Sequence, residues 1–159
     1  MTEKEQALAY LGKDPVLNIS MIEPLRLGRA RVAAQSGQGV ALEMSYFQAV
    51  LDGYSLFHSP EYVEDRLKAG VIFGAFVDGR LAGFVGEHHE GSMGMLEVFP
   101  PYRGHGLGLA LESFQINRYL SEGRVPFDQV IVGNEKSMSL QKKVGMELSK
   151  DTMSWLHRK

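Results

Sequence analysis

The sequence predicts an α+β fold in one domain, on three observations. Residues 71–98 hold apolar extended runs separated by the turn signals Asp78-Gly79 and Gly91-Ser92, the pattern of an antiparallel meander. A helical stripe follows, with Leu107, Leu111, Phe114 and Arg118 on one face and Ala110 and Ile116 nearby. Beyond it an extended run at 128–132 leads into a second helical stretch at 136–143 and two short terminal strands.

From the N-terminus, residues 3–12 and 15–27 read as two helical segments separated at Asp14-Pro15. Leu17, Met21 and Leu25, or Ile22, are spaced for one buried face, which would cover one side of a sheet. Residues 29–36 and 39–44 read as a hairpin around Gly37-Gln38-Gly39, and a third extended piece is expected near 46–51, stopping at Asp52-Gly53. A short helix from Pro60 to Lys68 leads into Val71–Val77, which Asp78-Gly79, the strongest hairpin signal in the chain, joins to Leu81 through His88. Gly91-Ser92 then turns the chain into Met93–Val98, where Met93 and Met95 read as sheet core or pocket wall. Trp155 is expected to pack the last strand.

With 159 residues, 44% of them hydrophobic and 23% charged, the chain suits one globular domain with a real core. A net charge of −2 and scattered Lys and Arg give no general pull toward nucleic acid. Cysteine is absent, which excludes disulfides, thiolate metal sites and a cysteine acyl intermediate. The N-terminus lacks the apolar run of a signal peptide and no stretch approaches a membrane span, so a cytoplasmic location without membrane contact is the expectation. Oligomeric state stays open, a homodimer included.

The most informative stretch is residues 96–108, where an expected strand ends and an expected helix begins across a glycine-rich bend. The first turn of a helix has backbone N–H groups without intrahelical partners, and these, with the positive end of the helix dipole, favour an anion. Gly104, Gly106 and Gly108 let the chain approach a pyrophosphate closely. The dinucleotide fingerprint G-x-G-x-x-G fails, because counting from Gly104 puts Leu109 at its last glycine; a P-loop fails for want of Gly-Lys-Ser/Thr. R-x-x-G-x-G fits, at Arg103, Gly106 and Gly108.

On these residues the chain resembles the GNAT superfamily of acyl-CoA-dependent N-acyltransferases, whose signature V-x-P-x-x-R-G-x-G-x-G/A reads here as Val98, Pro100, Arg103, Gly104, Gly106 and Gly108. A second motif, N-x-x-[AS]-x-x-L-[YF]-x-[KR]-x-G-[FM], is similar at Asn134, Ser137, Leu140, Lys143, Gly145 and Met146. The resemblance is carried by residues 71–147, while residues 1–57 are a divergent lobe that would shape the acceptor site. It implies a central mixed, mostly antiparallel sheet, splayed at the cofactor site and with helices on both faces. It also implies that the amides of Arg103, Gly104, His105, Gly106, Leu107 and Gly108 bind the coenzyme A pyrophosphate. Val98 would pair its backbone with the pantetheine, and Asn134 and Ser137 would lie along it. Asn134 is equally explained as a helix N-cap, and Arg103 as a surface arginine.

The resemblance implies direct transfer of an acetyl or other short acyl group from coenzyme A to an amine in a ternary complex. For a lysine-like amine, deprotonation at pH 7 costs ~4.6 kcal/mol, against ~1.4 kcal/mol for an α-amine. A base is therefore expected. Glu97, one residue before Val98, can hold a water that takes the proton, with Glu87, His88 and His89 as alternatives. His88 and His89 face opposite ways in a strand, so they make a poor metal site with Glu90, and no metal is expected. Many family members place a Tyr just after the leucine of the second motif to protonate the thiolate; this chain has Gln141, which cannot. That departure keeps a second reading alive, a non-catalytic acyl-CoA-binding regulatory module.

Overall fold

The computed structural model describes residues 40–54, 56 and 59–154. The helices expected at 3–12 and 15–27, most of the hairpin expected around Gly37-Gln38-Gly39, and Trp155 lie outside the described residues.

Two short helices come first, α1 (Phe47–Gly53) after a 3₁₀ turn at Met44–Tyr46, and α2 (Pro60–Lys68). The extended piece expected near 46–51 is therefore helical. The reason is periodicity: Phe47, Val50 and Tyr54 recur at i, i+3 and i+7, and Val50 and Tyr54 are both buried on the sheet. The Ser59 side chain caps α2 by accepting the Tyr62 N–H, with Pro60 in its first turn.

Strands β1 (Ile72–Val77), β2 (Arg80–Glu87) and β3 (Met93–Val98) form an antiparallel meander in that order. Asp78 and Gly79 both have positive φ, 50° and 75°, as a tight two-residue hairpin turn requires. The 40–42 segment lies antiparallel to β1, with an Ala41–Phe73 bridge. Helix α3 (Leu107–Ser121) then crosses β2 and β3, and α4 (Glu135–Lys143) packs against α3.

Helices cover both faces of the sheet. On one, α1 and α2 bury Val50, Tyr54, Val63 and Leu67 against Ile72, Phe84 and Met95. On the other, Leu111 of α3 packs on Phe73 and Val85, with Leu107, Phe114, Leu96 and Val98 around them. Alternation along β2 sends Phe84 to the first face and Val85 to the second.

The expected strand at 128–132 reduces to one parallel bridge, Met93 to Asp128, with the Met93 N–H donating to the Phe127 carbonyl at 2.8 Å. Residues 129–132 make no ladder among the described residues, and Ile131 and Val132 are exposed. The two segments touch at one point and part, so among the described residues β3 has no strand partner beyond that bridge on the 128 side. The terminal strands expected after 143 are also absent from the described residues up to 154.

Candidate functional site

Strand β3 does not run straight into the bend. Two of its residues, Met95 and Leu96, oppose the single Val85 of β2, because the register passes from Gly86↔Gly94 to Phe84↔Glu97. This is a β-bulge, with Met95 at φ 47°, and it bends the strand where it parts from the 128 segment. The buried Tyr54 hydroxyl accepts the Met95 backbone N–H at this bulge. Burial, reinforced by Tyr62 and then by the charges of Asp128 and Glu97, raises the Tyr54 phenol well above its ordinary range, so it stays protonated.

After β3, a 3₁₀ turn at Pro100–Tyr102 carries the chain to Arg103 and the glycine bend. Gly104 and Gly106 have φ of 79° and 78°, the left-handed region where a side chain costs energy, and open space lies where a Cβ would sit. Gly108 differs: it is helical, and a Cβ there would meet Val98 at an ordinary 3.7 Å. Gly106 is the N-cap of α3, no side chain caps that end, and no acid stands in the first turn. The first-turn amides of this 15-residue helix therefore lack a side-chain cap, at the positive pole of its dipole. His105 is exposed on the bend and Leu107 packs inward.

Arg103 turns back onto β3. Its Nε donates to the Val98 carbonyl at 2.7 Å and its Nη2 to Glu97 Oε1 at 2.9 Å. Glu97 pairs with Phe84 across the ladder and so shares its face of the sheet. There a cavity of about 390 Å³ opens between the end of α1 and the end of β3, lined by Asp52, Gly53, Glu97, Phe99, Pro100 and Arg103.

The other base candidates have different surroundings. Glu87 faces α3, where Arg124 holds it through two 2.9 Å contacts and Arg118 through one of 2.7 Å. Burial opposes its ionisation, yet hydrogen bonds from Arg124 and Arg118 win and lower its pKa. His88 lies on the α2 side, its Nδ1 2.5 Å from the Tyr62 hydroxyl and its ring over Gly94, where any side chain would collide with it. Burial lowers its pKa, so it is a neutral imidazole at pH 7. His89 is exposed, 3.4 Å from Asp65. The strand ends at Glu87, so the two histidines do not alternate as strand residues would: both imidazoles pack on the Tyr62 ring, at 6.0 Å and 5.2 Å between centroids, and among the described residues no three His, Asp or Glu side chains converge as a metal site.

Asn134 caps α4, its Oδ1 accepting the Ser137 N–H at 3.1 Å. Gln141, at the position where the resemblance would place a tyrosine, is buried and bound to Glu112 and Asp128. Sequence reasoning passed over Tyr54, Glu112 and Asp128. The one signal for Glu112 was an acid beside Leu111 in an apolar helix, and Tyr54 was hidden by reading 46–51 as extended.

A family described as "FR47-like protein" matches residues 72–156. The X-ray structure of a protein described as being from Drosophila malonogaster is similar over 73% of this chain, at 21% identity and a TM-score of 0.59. The match spans 41% of that longer chain. No curated protein matches. The fold is thus GNAT-like, and among the described residues no helix is long and apolar enough to cross a membrane.

Proposed function

The chain belongs to the FR47-like protein family, with an acyltransferase-type fold, and from that premise we propose an N-acyltransferase that moves an acetyl or other short acyl group from coenzyme A to an amine. The observation that carries this reading is the α3 N-terminus, without a side-chain cap, opening beyond Gly104 and Gly106 at the end of a bulged strand that has parted from its neighbour. Amides at a helix start receive a pyrophosphate, and an unpaired strand edge receives the pantetheine amides as an added strand would be received.

In this reading Arg103 and the amides of residues 103–108 hold the diphosphate, and the Val98 backbone orients the pantetheine. The thioester then lies beside the bulge. A backbone N–H or the neutral Tyr54 hydroxyl donates to the carbonyl oxygen as charge develops there. The amine enters from the cavity lined by Asp52, Glu97 and Phe99. An acceptor arriving as an ammonium loses one proton before it attacks, and Glu97, on that cavity wall, takes it through water. Attack by the neutral amine gives the amide and free thiol with no covalent enzyme intermediate, in keeping with a chain that has no cysteine.

The test is continuous thiol release from acetyl-CoA across a panel of amines, with products identified by mass spectrometry. Acceptor-dependent release supports the enzyme. Tight acetyl-CoA binding with no release from any amine supports the regulatory module, and no thermal shift with acetyl-CoA removes both.

A further inference from the structure

The wall of the cavity beside Glu97 combines two properties, a fixed aromatic surface and an excess of acid. Gly53, Phe99 and Pro100 make its apolar part. A Cβ on Gly53 would stand 2.6 Å from the Phe99 ring and 3.2 Å from that of Phe84, so any other residue there would push the Phe99 ring out of place. Phe84, wholly buried, meets Phe99 edge to face at 6.0 Å between centroids, and the Phe99 N–H donates to the Ala82 carbonyl at 2.9 Å. The ring is thus a firmly held surface on which a short hydrocarbon chain can lie.

Asp52 and Glu97 reach the same cavity from different elements, the end of α1 and the end of β3. Arg103 is the one cation among the described lining residues, and it pairs with Glu97 at 2.9 Å. Asp52 accepts a hydrogen bond from Gln48 Nε2 at 2.7 Å and makes no ion pair among the described residues. In the reading above Arg103 goes to the diphosphate. The described walls then hold two carboxylates and no cation, so one ammonium answers half of the charge and two answer all of it.

We propose that the acceptor is a small aliphatic diamine entering as a dication: its hydrocarbon chain lies on Phe99, Asp52 holds the ammonium that stays charged, and Glu97 receives the proton of the nitrogen that reacts. This rests on the acyltransferase reading and names the substrate of its site. Lysine-like amines, of pKa ~10.4, carry both charges at pH 7. The size also fits, since about 390 Å³ lies at the lower end of the roughly 300–1,000 Å³ of small-molecule pockets.

The retained ammonium assists the step, because a like charge nearby makes the reacting nitrogen shed its proton more readily. That proton passes through water to Glu97, and the freed lone pair forms the C–N bond. The C–S bond then breaks, and the second proton lost by nitrogen leaves with sulfur as free thiol. Dication plus thioester becomes a singly charged amide, a thiol and one proton released to solvent. The product carries one charge fewer than the substrate, so the two acids hold it less firmly and it leaves.

The test compares linear α,ω-diamines of graded chain length with n-alkylamines of matched length, by thiol release from acetyl-CoA. For the best diamine, kcat/KM is expected to exceed that of its matched monoamine by about tenfold or more, and added salt should narrow the margin. Asp52→Asn, which still accepts the Gln48 hydrogen bond, should bring that ratio close to one. Calorimetry gives a readout free of turnover: the diamine should bind more tightly with coenzyme A present, because Arg103 no longer competes for Glu97. Equal rates for diamine and matched monoamine, or a preference that survives Asp52→Asn, would overturn the diamine and leave the acyltransferase reading standing. Acylation of lysine in a basic peptide in preference to every diamine would do the same. No thiol release with any amine overturns both.

Discussion

Arg103 and Glu97 meet at 2.9 Å, and the same guanidinium holds the Val98 carbonyl at 2.7 Å. One flexible side chain therefore touches both the backbone proposed to orient the pantetheine and the carboxylate proposed to receive the amine's proton. Its own side chain is 59% exposed, so the ion pair is a weak one, and phosphate oxygens arriving at the bend compete for it well.

Glu97→Gln tests the proton acceptor. Acetyl-CoA affinity by calorimetry should be preserved, and kcat for a strongly basic amine should fall by about 10²-fold. A weakly basic acceptor, already neutral at assay pH, should lose less. Equal losses for both acceptors would show that Glu97 does not serve as the base.

Gly106→Val tests the anion cradle. Nothing within 4 Å obstructs a Cβ there, so the cost comes from φ 78° alone, about 1–2 kcal/mol for an ordinary side chain and more for a β-branched one. The bend should relax to a different path, and most of the acetyl-CoA affinity should go with it. Normal binding by Gly106→Val would mean that the pyrophosphate lies elsewhere.

Glu87→Gln separates structure from chemistry. Removing the acid that Arg118 and Arg124 share leaves two half-buried cations poorly paired over the Tyr119 ring. Denaturant unfolding should show a loss of about 2 kcal/mol, with kcat and KM unchanged at a temperature where the protein stays folded. A selective fall in kcat would return Glu87 to the list of bases.

Stability should also depend on pH through Glu112. Its folded pKa, about 7, lies above the unfolded value of 4.5, so the folded state binds its proton more tightly. That contribution is complete below 4.5 and is lost as pH rises through 7, to an extent of about 3 kcal/mol at most. His88 acts in the opposite sense: with its folded pKa lowered by burial, it favours the fold above 6.5 and penalises it as pH falls below. Melting temperatures of the wild type and Glu112→Gln, compared below pH 4.5 and above pH 7, should show the larger loss with rising pH in the wild type, since Asp128, also raised by burial, contributes a loss to both.

What could be read from sequence is what local chemistry decides. The Asp78-Gly79 turn, strand Met93–Val98 and the helix start at Leu107 are set by residues within a few positions of each other, and the structure has them there. The Gly104 and Gly106 bend is legible for the same reason, since left-handed φ is a property of single residues. Residues 46–51 look extended in sequence because Tyr46, Phe47 and Val50 have strand propensity, while burial of Val50 and Tyr54 against Phe84 and Met95 selects the helix.

The pairings had to wait for tertiary structure. Whether 128–132 forms a strand depends on a neighbour that bends away at the Met95 bulge, and no pattern within those residues reports it. Glu97 and Glu87 look alike in sequence, yet one opens on a cavity and the other is clamped by two arginines 31 and 37 positions away. That Glu112, Asp128 and Gln141 meet has no local signal, because the three come from separate parts of the chain, and it is the burial created by their meeting that raises the two carboxyl groups.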